Sequence, residues 1–403
     1  MKKYLFLGTV TLLFSLFIVS GAFATTRCVA IPSTVSCPYL TIQAAIDASR
    51  HGDTIIIYVG TYDEKIVIHR KLKIKTEGDV AIQQPTQGND AVVTISQKGK
   101  GSKIIGLNIW GGGYGIVIDH ADNCTISGNT VLNHVNHGIV LDHADHNNII
   151  DNIASSFQPD GQPGDQIDGI YLDHSDHNRI TGNKILNSEL VGISLDHSSS
   201  NRITGNSVSH TDGDGIVLDH SDNNRITANS VTDSFDSGIS FLSSNNNHVT
   251  GNTVSDAGPG FTAGIGINII GDINDESKNN FISDNNVTEV TDYGIGTHYA
   301  RDTKISKNLI VSNPKEGIHI GSGTTDTMIK GNTITKNNIG ILVLNADNNT
   351  ARRNNFVDNI TWGVQNDDTV QFDARSNYWG PSGPSGQTSG DVDTDRWLRH
   401  PVP

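Results

Sequence analysis

Short apolar runs alternate with polar turns along the whole chain, and the alternation is periodic. Aligned on a glycine followed by a β-branched residue, as in Gly138-Ile139-Val140-Leu141-Asp142-His143, the glycines fall at 115, 138, 169, 192, 215, 238, 264, 294, 317, 340 and 363. Seven of the ten intervals are 23 residues, and the others (31, 26 and 30) mark repeats that carry insertions. Within a repeat, Gly169-Ile170-Tyr171-Leu172 alternates, which sends Ile170 and Leu172 to one side and Tyr171 to the other. A second strand is expected at Arg179-Ile180-Thr181 and a third from Ile185-Leu186. None of the repeats has a helical period. Three short strands cannot bury their own apolar face, so the repeats must stack as the coils of an all-β solenoid, about 4.8 Å apart.

Stacking accounts for two files of polar residues. One holds Cys124, Asn147, Asn178, Asn201, Asn224 and Asn247, the other Asn129, Asn152, Asn183, Asn206, Asn229 and Asn252. Stacked amides hydrogen-bond along a column, and asparagine tolerates a left-handed turn, so both files read as structural. The open ends need lids. Thr41 to Asp47 reads as a short capping helix with Ile42, Ala45 and Ile46 inward, and the Gly/Pro/Ser-rich stretch after Asn377-Tyr378-Trp379-Gly380 reads as the C-terminal lid. The expected organisation is an N-terminal cap over 25–53, the solenoid over 54–376 and a closing segment over 377–403.

Residues 1–24 have the form of a cleaved export signal: Lys2 and Lys3, an apolar run from Tyr4 to about Val19, then Ala22-Phe23-Ala24. We therefore expect a secreted or periplasmic protein cut near Ala24. Without the two lysines the formal charge falls from −15 to −17, which argues against nucleic acid or an anionic membrane as partner, and against a polyanionic glycan unless a cation bridges. Cys28 and Cys37 are close enough in an exported chain to form a disulfide, and Cys124 takes an asparagine place.

Three segments resemble a known family. Tyr39-Leu40-Thr41-Ile42-Gln43-Ala44-Ala45-Ile46-Asp47, Gly52-Asp53-Thr54-Ile55 and Val59-Gly60-Thr61-Tyr62 look like the N-terminal signature of pectin-lyase-like proteins. The Gly-Ile-x-Leu and Ile-Thr-Gly-Asn coils resemble NosD-like, carbohydrate-binding and sugar-hydrolysing repeats. Asn377-Tyr378-Trp379-Gly380-Pro381, Gly390-Asp391 and Trp397-Leu398 resemble the closing motif of such chains. The resemblance implies a right-handed parallel β-helix; we further expect a monomer with a polysaccharide partner. It does not single out an activity, because this architecture hosts lyases, hydrolases, epimerases, adhesins and an accessory protein for periplasmic copper delivery. The Asp-Asp plus Gly-His-Gly pattern of polygalacturonases is absent, as is an assignable pectate-lyase arginine motif. Leu172-Asp173-His174-Ser175-Asp176 is only a partial echo of the epimerase pattern Asp-Pro-His-Asp.

Five consecutive coils carry Asp-His after the first strand: Asp119-His120, Asp142-His143, Asp173-His174, Asp196-His197 and Asp219-His220. The next coil has Leu242-Ser243. By alternation the aspartates face outward with Val117, Val140, Tyr171, Ser194 and Val217, whereas the histidines sit where the strand turns and their direction is open. Five carboxylates in file repel by roughly 1 kcal/mol per neighbouring pair in water, so protonated imidazoles, a cation or outward splay must compensate. Duplication of near-identical coils would copy the pair without a function, and the same holds for Arg179, Arg202 and Arg225, expected to pair with nearby acids. The insertions at 155–166 (with Phe157-Gln158-Pro159-Asp160-Gly161), 256–262 and 272–277 are expected to border the Asp-His face, as loops of a binding site do.

The first reading is a carbohydrate-active protein: a binder, or a lyase, C5-epimerase or glycoside hydrolase. Tyr171, Asp173 and His174 would then be catalytic, and Asp142, His143, Asp196, His197, Asp219 and His220 would hold substrate. A divalent cation would sit on Asp142, Asp173 and Asp196, calcium on carboxylates alone, copper or zinc through imidazole. The alternatives are metal binding without catalysis, as the NosD resemblance implies, and a passive surface or adhesion spacer of about 13 coils, roughly 60 Å long.

Overall fold

The computed structural model describes residues 24–31, 35–84, 88–156, 167–258 and 264–403. Parallel strands wind into a right-handed β-helix. The first strands of successive coils form a 14-stranded sheet running from Ile66–Ile68 to Thr388–Ser389, and the second and third strands belong to a 27-stranded sheet. The long strand Lys73–Gln84 pairs with both Lys103–Ile105 and Asn108–Gly111, which joins those two stacks near the N-terminal end.

Alternation decides what is inside. Ile139, Ile170, Ile193, Ile216 and Ile239 are wholly buried in one register-matched row, and Leu141, Leu172, Leu195 and Leu218 form the next. The coil glycines face this core: a Cβ on Gly192 would lie 2.3 Å from Val208 Cγ1 and 2.6 Å from the Gly215 carbonyl. In one coil the strand is aligned differently from the sequence expectation. Ile239 pairs with Ile267 and Ile267 with Ile295, so the core glycine is Gly266 and not Gly264. Gly264-Ile265-Gly266-Ile267 satisfies the pattern twice, and only stacking chooses between the two.

The asparagine files are buried ladders, as the periodicity predicts. Asn206 Oδ1 accepts the Asn183 N–H at 2.9 Å, while its amide donates to the Ile180 carbonyl at 3.0 Å and to Asn229 Oδ1 at 3.0 Å. The left-handed residue, however, is the one before each ladder asparagine: His177 (φ 58°) before Asn178, Gly205 (φ 64°) before Asn206. The asparagine takes the interior position and caps backbone donors that the corner exposes. Cys124, buried and free, sits in the first file with its N–H on Asn147 Oδ1 at 2.7 Å.

Short segments pack against both ends of the stack. The helix Ile42–Ala48 starts on Thr41, whose hydroxyl accepts the Ala44 N–H, and buries Ile42, Ala45 and Ile46. Glu64 accepts the free Ile42 and Gln43 N–H groups at 2.7 and 3.0 Å. Cys28 and Cys37 are bonded, with Cα atoms 5.4 Å apart. Buried Asp53 ties Thr25, Arg27 and Arg50 together at 2.8 to 3.1 Å. At the other end Trp379 is buried and stacks on Phe356, Asn377 terminates the ladder, and two-residue strands persist to Val392–Asp393.

Candidate functional site

Five first strands end in register at Asp119, Asp142, Asp173, Asp196 and Asp219. The histidine after each aspartate is left-handed, with φ between 44° and 51°. Its backbone N–H is locked onto the next coil, as His174 N–H is on the Asp196 carbonyl at 3.1 Å. Under the corner, Ser175 and Ser221 brace the turn through bonds to carbonyls of their own and the preceding coil. Ser243 (φ 45°) and Tyr299 (φ 46°) adopt the same conformation, so the fold does not require histidine there.

The histidine direction, open from sequence, is resolved. Each Nδ1 lies 2.5 to 2.6 Å from Oδ1 of its own aspartate. The rings stack face to face with centroids 4.9 to 5.1 Å apart and planes within 5°. About half of each imidazole is exposed. Nε2 of His120, His143, His174 and His197 has no protein partner among the described residues, whereas His220 Nε2 meets Asp275 Oδ2 at 3.3 Å. The hydrogen bond that its ring donates to Asp173 raises the His174 pKa above its ordinary value, and the bond to Asp219, with Asp275 adding to it, does the same for His220. Each carboxylate of the file thus faces an imidazole nitrogen of its own coil.

Tyr171 stands one position back on the outward face. Its ring stacks on His137 at 4.8 Å and its hydroxyl donates to Asp196 Oδ2 at 3.3 Å. Burial, reinforced by Asp196 and Asp173, pushes its pKa well above that of a free phenol. Its hydroxyl therefore stays protonated at neutral pH and serves as a hydrogen-bond donor. Sequence reasoning missed its support: His137, whose Nδ1 lies 3.3 Å from buried Asp168, a pair that only the coil register brings together.

Asp142, Asp173 and Asp196 do line up, but each carboxylate is engaged by its own histidine. Two mixed groups, Asp119–His120–Asp142 and Asp142–His143–Asp173, have donor atoms within 4.8 Å of one another. The loop at 272–277 closes one end of the file through Asp275. Of the insertions at 155–166 and 256–262, residues 157–166 and 259–262 lie outside the described residues. Arg179, Arg202 and Arg225 depart from expectation: they align in register on the second strands, and none forms an ion pair with an acid among the described residues. The turn acids are used elsewhere, Asp145 and Asp176 accepting the Asp176 and Ser199 N–H groups.

Comparison with known proteins fits this architecture. The catalytic domain of a GH87 alpha-1,3-glucanase in complex with tetrasaccharides superposes with a TM-score of 0.60 at 16% identity, over 80% of this chain and 65% of that one. PfbA, a surface adhesin of Streptococcus pneumoniae, gives 0.59 at 13% identity, over 81% and 90%. A cell surface glycoprotein of Methanothermus fervidus is 34% identical over 94 residues, 23% of this chain and only 15% of that protein. These likenesses establish the fold. No helix among the described residues is long and apolar enough to cross a membrane. The family described as periplasmic copper-binding protein (NosD) matches residues 51–258 and 268–389, and with this β-helix and these repeats the chain belongs to that family.

Proposed function

We propose that the protein is an exported binding protein whose Asp-His file holds divalent transition-metal ions through the histidine Nε2 atoms. The observation that carries this reading is the orientation of the imidazoles. A carboxylate on Nδ1 fixes the tautomer that leaves Nε2 as a lone-pair donor, the arrangement by which an outer-shell carboxylate orients a metal-binding histidine. The residues fit copper or zinc better than calcium, because imidazole is the free donor and the carboxylates stand behind it. Successive rings about one strand spacing apart let neighbouring histidines share an ion with small side-chain rotations, and His143, His174 and His197 form the central set. Calorimetric titration with Cu²⁺, Zn²⁺ and Ca²⁺ tests this. Tight binding of the first two, lost when His143, His174 and His197 are replaced by Ala, supports the reading; unchanged binding by that variant excludes these ligands.

The second reading is a polysaccharide laid along the same face, as the sugar-bound structural relative invites. It is favoured by Tyr171 beside the file and by the loop that bounds it. In a catalytic form, Tyr171 would donate a proton, His174 Nε2 would accept one, and Asp173 would hold His174, with Asp142, His143, Asp196, His197, Asp219 and His220 as neighbouring contacts. Screening against neutral and acidic glycans, with Asp173→Asn and His174→Ala, separates the two: metal binding without glycan binding or turnover removes the second reading.

A further inference from the structure

The unpaired arginines lie in a groove that no part of the preceding reading uses. Arg179, Arg202 and Arg225 follow one another in register, and the row continues through His248, Phe281 and Lys304. The opposite wall is the corner of left-handed residues, where the His146 and His177 rings stack at 5.0 Å. Together they enclose a depression of about 540 Å³ with no carboxylate among its lining residues. A second, of about 430 Å³, begins at His248 and carries Asp302 and Asp326 beside Lys304, so the purely cationic stretch is the one at Arg179, Arg202 and Arg225; a third, of about 710 Å³, shares Met328 with the second and contains Lys330 and Arg352. The groove thus runs along the solenoid axis, on a chain whose formal net charge is −15.

Three exposed guanidinium groups stacked one per coil repel one another unless something anionic lies across them. In the acidic Asp-His file each carboxylate has its own histidine; beside this groove the turn aspartates accept backbone N–H groups, and among the described residues none pairs with the three arginines. We propose that the groove binds a linear anionic polysaccharide, with the carboxylates or sulfates of successive sugars on Arg179, Arg202 and Arg225. One cation per coil, about 4.8 Å apart, matches a polymer with about one charge per sugar unit. It matches duplex nucleic acid poorly, since that carries a charge about every 1.7 Å and meets the repulsion of the whole acidic chain. The acidic net charge describes the average surface, whereas this groove is locally cationic. This site is independent of the Asp-His file and needs no metal.

The test is binding of polygalacturonate, heparin, neutral dextran and a DNA duplex, all in EDTA, to the native protein and to two triple variants. Arg179→Gln with Arg202→Gln and Arg225→Gln removes the charge, and the three Arg→Lys changes keep it. We expect at least one anionic glycan to bind and dextran not to. We expect the Gln variant to lose about tenfold or more in affinity at about 0.1 M salt with a flatter salt dependence. The Lys variant should bind nearly as the native protein does, and both variants should keep the native melting temperature. The proposal fails if neither anionic glycan binds, if the Gln variant binds as the native protein does, or if DNA binds as tightly as the glycans.

Discussion

His174 shows how one residue can serve fold and chemistry at different atoms. Its backbone turns the chain in a left-handed conformation that Ser243 also adopts, while its ring, anchored on Asp173, is free to act. Because Asp173 raises its pKa, the proton competes with a metal from a pH above the usual histidine range downward, so Zn²⁺ affinity should fall as pH drops from about 7 to 5.5. Calorimetry at several pH values checks this, and His174→Gln should flatten the dependence. Two other histidines behave in the opposite way. Burial lowers His134 and His319 from 6.5 to about 4, so the unfolded chain takes up their protons before the native one does. Stability should therefore fall as pH drops from about 6.5 to 4, by about 3 kcal/mol for each. Urea denaturation across that range measures it, and a flat profile would contradict the assignment. Asp53 acts at lower pH. Burial alone would raise its pKa, but hydrogen bonds from Arg50, Thr25 and Arg27 outweigh that and bring it to about 2. The stability it contributes is complete above about 4 and is lost as pH falls towards 2.

At the scale of a coil, period and alternation are written plainly in the sequence, and a single interior residue is decisive. Ile193 has no exposed surface, so Ile193→Asp places an unpaired charge in the core, costing several kcal/mol against a total stability of about 5–15 kcal/mol. No folded monomer should be recovered on gel filtration. Asn206→Ala leaves the Asn183 N–H and the Ile180 carbonyl without partners and should cost about 2–3 kcal/mol, seen as a lower urea midpoint. What the sequence does not carry is which of two equivalent phases a repeat adopts. Gly264 and Gly266 read alike, and only the pairing of Ile239 with Ile267 separates them. The ladder asparagines and their left-handed neighbours differ by one place for the same reason, since composition marks a corner and the inter-coil hydrogen bond sets its phase. The histidine rings were illegible because they leave the strand at such a corner. The isolation of Arg179, Arg202 and Arg225 depends on what the turn aspartates bind instead, which no spacing reveals.

Across the whole molecule the solenoid separates two chemistries onto different faces. One strip offers stacked imidazoles backed by carboxylates, and one groove offers stacked guanidiniums without them. Both follow from a stack that repeats any outward side chain at the strand spacing, so a single duplicated substitution becomes a linear array. Family membership accounts for the scaffold and leaves the arrays to be explained by their own geometry. The orientation of the imidazoles is the point on which the metal-binding account stands, and nitrogen NMR of the histidine side chains during Zn²⁺ titration tests it most directly. On metal binding the Nε2 signals of His143, His174 and His197 should shift while Nδ1 keeps its proton, shared with the neighbouring aspartate. Zn²⁺ binding that leaves the Nε2 signals in place, or that strips the proton from Nδ1 instead, would contradict it.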